Sequence, residues 1–168
     1  IDVDLWSVIY GVSIFLPLVK QSGEGHFINT ASSNGLQATM NIAPYSVAKF
    51  GVVALTETLR MELDESDSAV SASVLCPGAV ATRICESDRN REAAGISAGE
   101  KSATEQAFKD IAGPIVDAGI APSVVAEMIV AAIKSNDFWI ITHPDWKRVM
   151  QERVAGMLEN KLVTGFGG

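Results

Sequence analysis

The chain has 168 residues, 48% of them hydrophobic and 20% charged, with a formal net charge of −7. That is enough for one domain with a real core, too short for two ordinary ones, and neither disordered nor fibrous in composition. An acidic balance without a Lys/Arg cluster argues against a nucleic-acid partner and otherwise speaks only to solubility.

The first residues, "IDVDLWSVIYG", include neither an initiator methionine nor the charged region and cleavage site of a secretory leader. The expectation is a cytoplasmic protein with something upstream of Ile1. Residues 1–21 read as a helix apolar on nearly every face, which needs more than one covering neighbour. Its most apolar run, residues 8–19, is too short to cross a bilayer and contains Pro17. A buried helix, and no membrane, is therefore expected.

"SGEG" at 22–25 breaks the chain. "HFINTAS" at 26–32 is a candidate buried strand that ends on Ser32, and residues 33–44 form a polar, small-residue loop. Pro44 suits the first turn of a helix running to about residue 64. Its apolar positions Val47, Phe50, Val53, Ala54, Leu55 and Leu59 wrap widely round the axis. "ESDS" closes it. "AVSASVLC" at 69–76 is the next strand, stopped by Pro77 and Gly78.

Residues 83–119 are polar and weakly periodic, and read as a mobile, partly helical excursion. From Pro122 the spacing of Val124, Val125, Met128, Ile129, Ala132 and Ile133 predicts a helix. "DFWIITH" at 137–143 is a third strand. Pro144 opens a last helix with Trp146, Met150, Val154, Met157 and Leu158 on one side, before the loose tail "LVTGFGG". Apolar strands alternating with helices mean an α/β fold with a parallel sheet covered on both faces. Three strands, and a first helix with no strand before it, suggest the second half of a larger domain. Cys76 and Cys85 read as two free thiols. His26 and His143 lack ligand partners at metal-binding spacing, so no metal site is expected.

Chemistry concentrates in "SNGLQATMNIAPYSVAKFGVVALTETL". Tyr45 and Lys49 lie four apart and share a helix face. A lysine ammonium held beside a phenol favours the phenolate, which makes a tyrosine usable as an acid or base near neutral pH. With two tyrosines and seven lysines in the chain, chance supplies that spacing roughly one time in ten, so the pair alone says little. Its surroundings say more. Ser32 stands at a strand's carboxyl end, where open α/β sheets bind ligands. The turn "PGAVAT" at 77–82 follows the next strand and faces the same crevice.

Taken together these residues resemble the short-chain dehydrogenases/reductases. Tyr45-Ser46-Val47-Ala48-Lys49 is similar to the family's Tyr-x-x-x-Lys, and Ser32 to its serine thirteen residues earlier. Asn29 is similar to the asparagine of "N-x-S-S", and Pro77, Gly78 and Thr82 to "P-G-x-x-x-T". The likeness covers nearly the whole chain and corresponds to the carboxyl-terminal part of a Rossmann-like, doubly wound domain. It implies one domain over residues 1–168, with residues 83–119 as a substrate lid. It implies reversible hydride transfer between NAD or NADP and an alcohol/carbonyl pair. Tyr45 would be the general acid/base. Lys49 would lower its pKa and hold the nicotinamide ribose, and Ser32 would bind the substrate oxygen. The Val80 backbone and Thr82 would hold the carboxamide, with Pro77 and Gly78 also among the cofactor-binding residues. Residues 139–153 resemble members acting on bulky aromatic or terpenoid alcohols. A homodimer or homotetramer built on the helices at 1–21 and 44–64 is also implied, with Trp6, Ile9, Tyr10, Ile14, Phe15, Phe50, Val53, Leu59 and Met61 toward the partner.

Two departures stand out. Asp4 occupies the family's catalytic asparagine position, with Ser7 where glycine is common. Asp4 could keep the asparagine's backbone role, pair its carboxylate with Lys49, or serve as an acidic residue near a helix start. No G-x-x-x-G-x-G phosphate loop occurs, and "GFGG" in the tail follows no strand. These 168 residues alone are therefore expected to bind neither NAD nor NADP and to be inactive. The competing reading is a non-catalytic remnant acting as a binding or structural subunit. The upstream sequence would discriminate the two.

Overall fold

Three apolar runs become the strands of one parallel sheet, β1 (Gly25–Thr30), β2 (Val70–Cys76) and β3 (Trp139–Ile141), in the order β1-β2-β3. The computed structural model describes residues 1–95 and 103–163. Gly25 through Thr30 pair with Val70 through Leu75, and Val74 through Cys76 pair with Trp139 through Ile141. The central strand is buried almost throughout, with Ala72, Ser73, Val74 and Cys76 fully enclosed. That burial explains its unbroken run of small and apolar residues. β1 stops at Thr30, two residues short of the expectation. Ala31 still donates to Leu75 O at 2.8 Å. Ser32 then leaves the ladder and starts a 3₁₀ turn at Ser33–Gly35.

The chain divides into two compact units, residues 1–78 with those from 127 onward, and residues 79–126. In the first unit a π-type turn, Asp2–Trp6, leads into α1 (Ser7–Gln21). The long helix α2 (Ala43–Glu65) starts with Pro44 in its first turn. Its residues Ala48, Val52, Thr56, Leu59 and Leu63 step along one face by three or four and are buried. Val52 and Val53 pack with Ala31, Leu36, Val74 and Cys76, while Leu59 and Leu63 pack with Val12, Val70 and Ala72. Each large aliphatic side chain enclosed in this way contributes about 1.5–3 kcal/mol. α5 (Pro122–Ser135) buries Val125 and Ala132.

Three expectations need correction here. Residues 1–21 are not a buried helix. Only Val12 is enclosed, while Val3, Tyr10, Ile14, Phe15 and Leu18 are exposed. The helical stretch Asp2–Gln21, which holds an 18-residue window of mean hydropathy 1.5 with 6% of that window buried, is long and apolar enough to cross a membrane by length and composition alone. The length argument fails because the helix starts before residue 8. In the last helix, α6 (Trp146–Leu158), the buried residues are Trp146, Val149 and Gly156, and Val154, Met157 and Leu158 are exposed. On α2, Val53 and Leu59 belong to this chain's own core rather than to an outward face.

In the second unit Val80 bridges to Ile120, with Ala81 N–H donating to Ile120 O at 2.9 Å. A 3₁₀ turn at Ile84–Glu86, α3 (Asp88–Ala93) and α4 (Ala103–Asp117) make up most of the rest. The expected excursion thus has two helices, and its residues 96–102 lie outside the described residues, as does "GFGG" at 165–168.

Candidate active site

Tyr45 lies in the first turn of α2 and Lys49 one turn on. The Lys49 ammonium stands 5.5 Å from the centroid of the Tyr45 ring. Lys49 is 8% exposed, so its charge is held away from bulk water on a nearly buried stem. Its Nζ donates to the carbonyl of Thr30 at 3.3 Å and lies 3.3 Å from Asp4 Oδ1. The Asp4 carboxylate pairs with Lys49 in this geometry, and Asp4 also lies in the first turn of the helical stretch that begins at Asp2. Asp4 is more exposed than its partner, 44% against 11% by side chain, so water screens its side of the pair.

Ser32 is buried and fully extended, with φ −172°. Its Oγ accepts from the Asn34 N–H at 3.1 Å, which still leaves a hydroxyl able to donate. The turn after Ser32 is pressed onto α2. A Cβ on Gly35 would lie 2.7 Å from the Lys49 carbonyl oxygen and 2.9 Å from Val53, so the approach admits only glycine. On the other side the Ser33 N–H donates to Pro77 O at 2.8 Å. Asp4, Ser32, Tyr45, Lys49, Pro77 and Gly78 therefore all belong to the first unit. Val80 and Thr82 belong to the second, where Thr82 is exposed and borders an open cavity of about 340 Å³ with Arg83, Cys85, Glu86 and Lys109.

Asn29 serves the scaffold. Its Nδ2 donates to Thr56 Oγ1 at 3.1 Å, and that hydroxyl donates to Val52 O at 2.7 Å, which ties β1 to α2. Burial pushes the Cys76 thiol up to about 12. Burial, and then the Arg60 guanidinium, hold His26 below the usual histidine range. Both cysteines are free.

Two further groups were not anticipated from the sequence. The Thr30 carbonyl is invisible there because every residue has one. Thr142 Oγ1, which accepts from the Gly78 N–H at 3.0 Å, was findable. It is a hydroxyl at a strand's carboxyl end, the same signal that singles out Ser32.

A family model for short chain dehydrogenases matches residues 1–93, a span that includes every proposed site residue. The chain is 32% identical over 164 residues to the SadH protein of Mycobacterium tuberculosis, covering 97% of this chain and 56% of that protein. It is 25% identical over 156 residues to the CLA biosynthesis dehydrogenase/reductase of Lactiplantibacillus plantarum, covering 90% and 54%. The crystal structure of a short chain dehydrogenase/reductase from Burkholderia phymatum in complex with NAD superposes with a TM-score of 0.89 at 29% identity, over 98% of this chain and 59% of that one. The chain spans about half the length of the curated relatives it matches.

Proposed function

The chain belongs to the short-chain dehydrogenase family, and from that premise we propose that it carries the acid/base part of an NAD- or NADP-dependent oxidoreductase interconverting a secondary alcohol and a ketone. The observation that carries this reading is the joint placement of Ser32, Tyr45 and Lys49. The ammonium sits beside the phenol ring, and the turn bearing Ser32 is packed on the same stretch of α2.

The donor set fits a nicotinamide nucleotide. An ammonium has three hydrogens. Among the described residues Thr30 O and Asp4 take two of Lys49's, and the third suits a sugar hydroxyl. We propose Tyr45 and Lys49 for the ribose, the Val80 backbone and Thr82 for the carboxamide, and Pro77 and Gly78 as further cofactor contacts. The similarity to an NAD-bound relative supports the cofactor class. When bound, the nicotinamide supplies or takes up the hydride.

In the reductive direction Ser32 donates its hydroxyl hydrogen to the substrate's carbonyl oxygen and so stabilises the charge that builds there. The Tyr45 hydroxyl delivers the proton to that oxygen. In the oxidative direction the Tyr45 oxygen takes the alcohol's proton. Lys49, held by Thr30 and Asp4, stays beside the phenol throughout. Residues 83–119 serve as the substrate lid. The exposed faces of α1 and α2 serve as the subunit interface of a cytoplasmic homodimer or homotetramer.

The test is Tyr45→Phe in the full-length protein. Turnover should fall by roughly 10²–10⁴, while cofactor affinity stays within a few-fold, because the ring's packing is kept. Steady-state rates and cofactor titration read both. Retention of more than about a tenth of the activity removes Tyr45 as the acid/base.

A further inference from the structure

We infer that Thr142 and His143, at the carboxyl end of β3, act as a brace that positions the Pro77–Gly78 turn and thereby sets cofactor affinity. The inference rests on reading that turn as part of the nicotinamide site.

The Gly78 N–H donates to Thr142 Oγ1 at 3.0 Å, and the same oxygen lies 2.7 Å from His143 Nδ1. Thr142 is 7% exposed, so its hydroxyl hydrogen needs a partner inside the protein. Having accepted from Gly78, the hydroxyl can give that hydrogen to Nδ1. This assigns Nδ1 as an acceptor, with the ring hydrogen on Nε2. The two side chains thus form a directed pair ending on a backbone amide of the turn.

The imidazole also packs directly on that turn. A Cβ at Gly78 would lie 2.6 Å from Nδ1 and 3.0 Å from two ring carbons. The backbone of His143 is itself tied to the start of α6, where the Trp146 N–H donates to the His143 carbonyl at 3.2 Å. On the opposite side of the turn Pro77 O accepts from the Ser33 N–H at 2.8 Å, next to Ser32. A two-residue turn is therefore fixed from both sides, by the serine loop and by the end of β3.

Strand packing alone does not call for this pair. Valine suits a buried strand at least as well as threonine, and the hydroxyl adds nothing to the sheet ladder. What it adds is a fixed direction for Gly78. A turn that must present backbone groups to a ligand binds more tightly when it is ordered beforehand.

The experiment compares Thr142→Val, which keeps the shape and removes the hydroxyl, with Thr142→Ser, which keeps the hydroxyl. In the intact protein Thr142→Val should raise the Kd for NAD(H) or NADP(H) by about tenfold, one hydrogen bond's worth, with kcat at saturating cofactor changed much less. Thr142→Ser should stay within about twofold. Gly78→Ala should also weaken cofactor binding, because its methyl would meet the His143 ring. Wild-type affinity in Thr142→Val, or an equal loss in Thr142→Ser, overturns the brace.

Amide exchange at Gly78 provides a readout without cofactor. It should accelerate in Thr142→Val but not in Thr142→Ser, and an unchanged rate in both refutes the inference. A wild-type protein that binds no nicotinamide nucleotide would instead defeat the functional reading, and the exchange rates would then decide the brace on their own.

Discussion

Lys49 shows how one residue is defined from several directions at once. Its stem is enclosed by the core, its ammonium is caught between the Thr30 carbonyl and Asp4, and the Tyr45 ring lies beside it. The spacing of Tyr45 and Lys49 was legible because helix geometry guarantees a shared face. The Thr30 carbonyl was not, because backbone groups carry no sequence signal. The thiols allow a sharper test. Cys76 is fully enclosed and Cys85 half-buried, so iodoacetamide at pH 8 should label one cysteine in the native protein and two after unfolding. Labelling of Cys76 in the native state would contradict its burial. The Cys76 thiol is raised from 9.0 to about 12. It stays protonated in the fold while the unfolded chain ionises from about pH 9. Its contribution to stability is complete below that pH and fades as pH rises toward 12. Urea midpoints should fall across that window, and Cys76→Ala should flatten the fall.

At the scale of elements, the contact of α2 with the sheet decides where the site stands. Both faces of β2 are enclosed, and α2 lays the strip from Ala48 to Leu63 inward. Thr56 adds a polar tie, holding Asn29 of β1 with a hydroxyl that is itself bonded to Val52 O. Thr56→Val preserves the volume but leaves the buried Asn29 amide without this partner. It should lower unfolding free energy by roughly 1–3 kcal/mol, with Thr56→Ser costing less. Urea unfolding compares the two, and no loss in Thr56→Val beside a loss in Thr56→Ser would show that the methyl rather than the hydroxyl matters. The elements that were misjudged are those whose burial depends on neighbours. α1 has the composition of an enclosed helix, yet most of it is exposed. α6 turns Val149 inward where helical spacing alone favoured Val154.

For the chain as a whole, the exposed apolar surface is the feature on which the proposed homo-oligomer rests. Tyr10, Ile14, Phe15 and Leu18 on α1, with Val47 and Met61 on α2, are all more than half exposed. Such a surface is larger than isolated soluble chains usually carry. Two helices that bury it against their symmetry mates would form a self-complementary interface. Val53 is no probe of that interface, because a charge there would disrupt the core. Ala54 is exposed on the outward side of α2, so Ala54→Glu should leave the fold intact and place an unpaired charge in the interface. Light scattering coupled to size exclusion should show a dimer or tetramer for the wild type and a shift toward monomer for the variant. A wild type that is monomeric at micromolar concentration, or a variant that assembles normally, would end this reading.

By itself the sequence determined the α/β class and the chain order of helices and strands, and it singled out Ser32, Tyr45 and Lys49 as candidates. Periodicity, turn residues and fixed spacing are local properties that side-chain types record directly. The tertiary structure decided that the Asp4 carboxylate reaches Lys49, that Ser32 stands beyond β1 rather than on it, and that the Gly78 N–H meets Thr142 beside the His143 ring. It also decided which apolar residues are core and which are surface. Those outcomes depend on contacts between residues dozens of positions apart. They are set by where packing places the elements, and no local pattern along the chain records that distance.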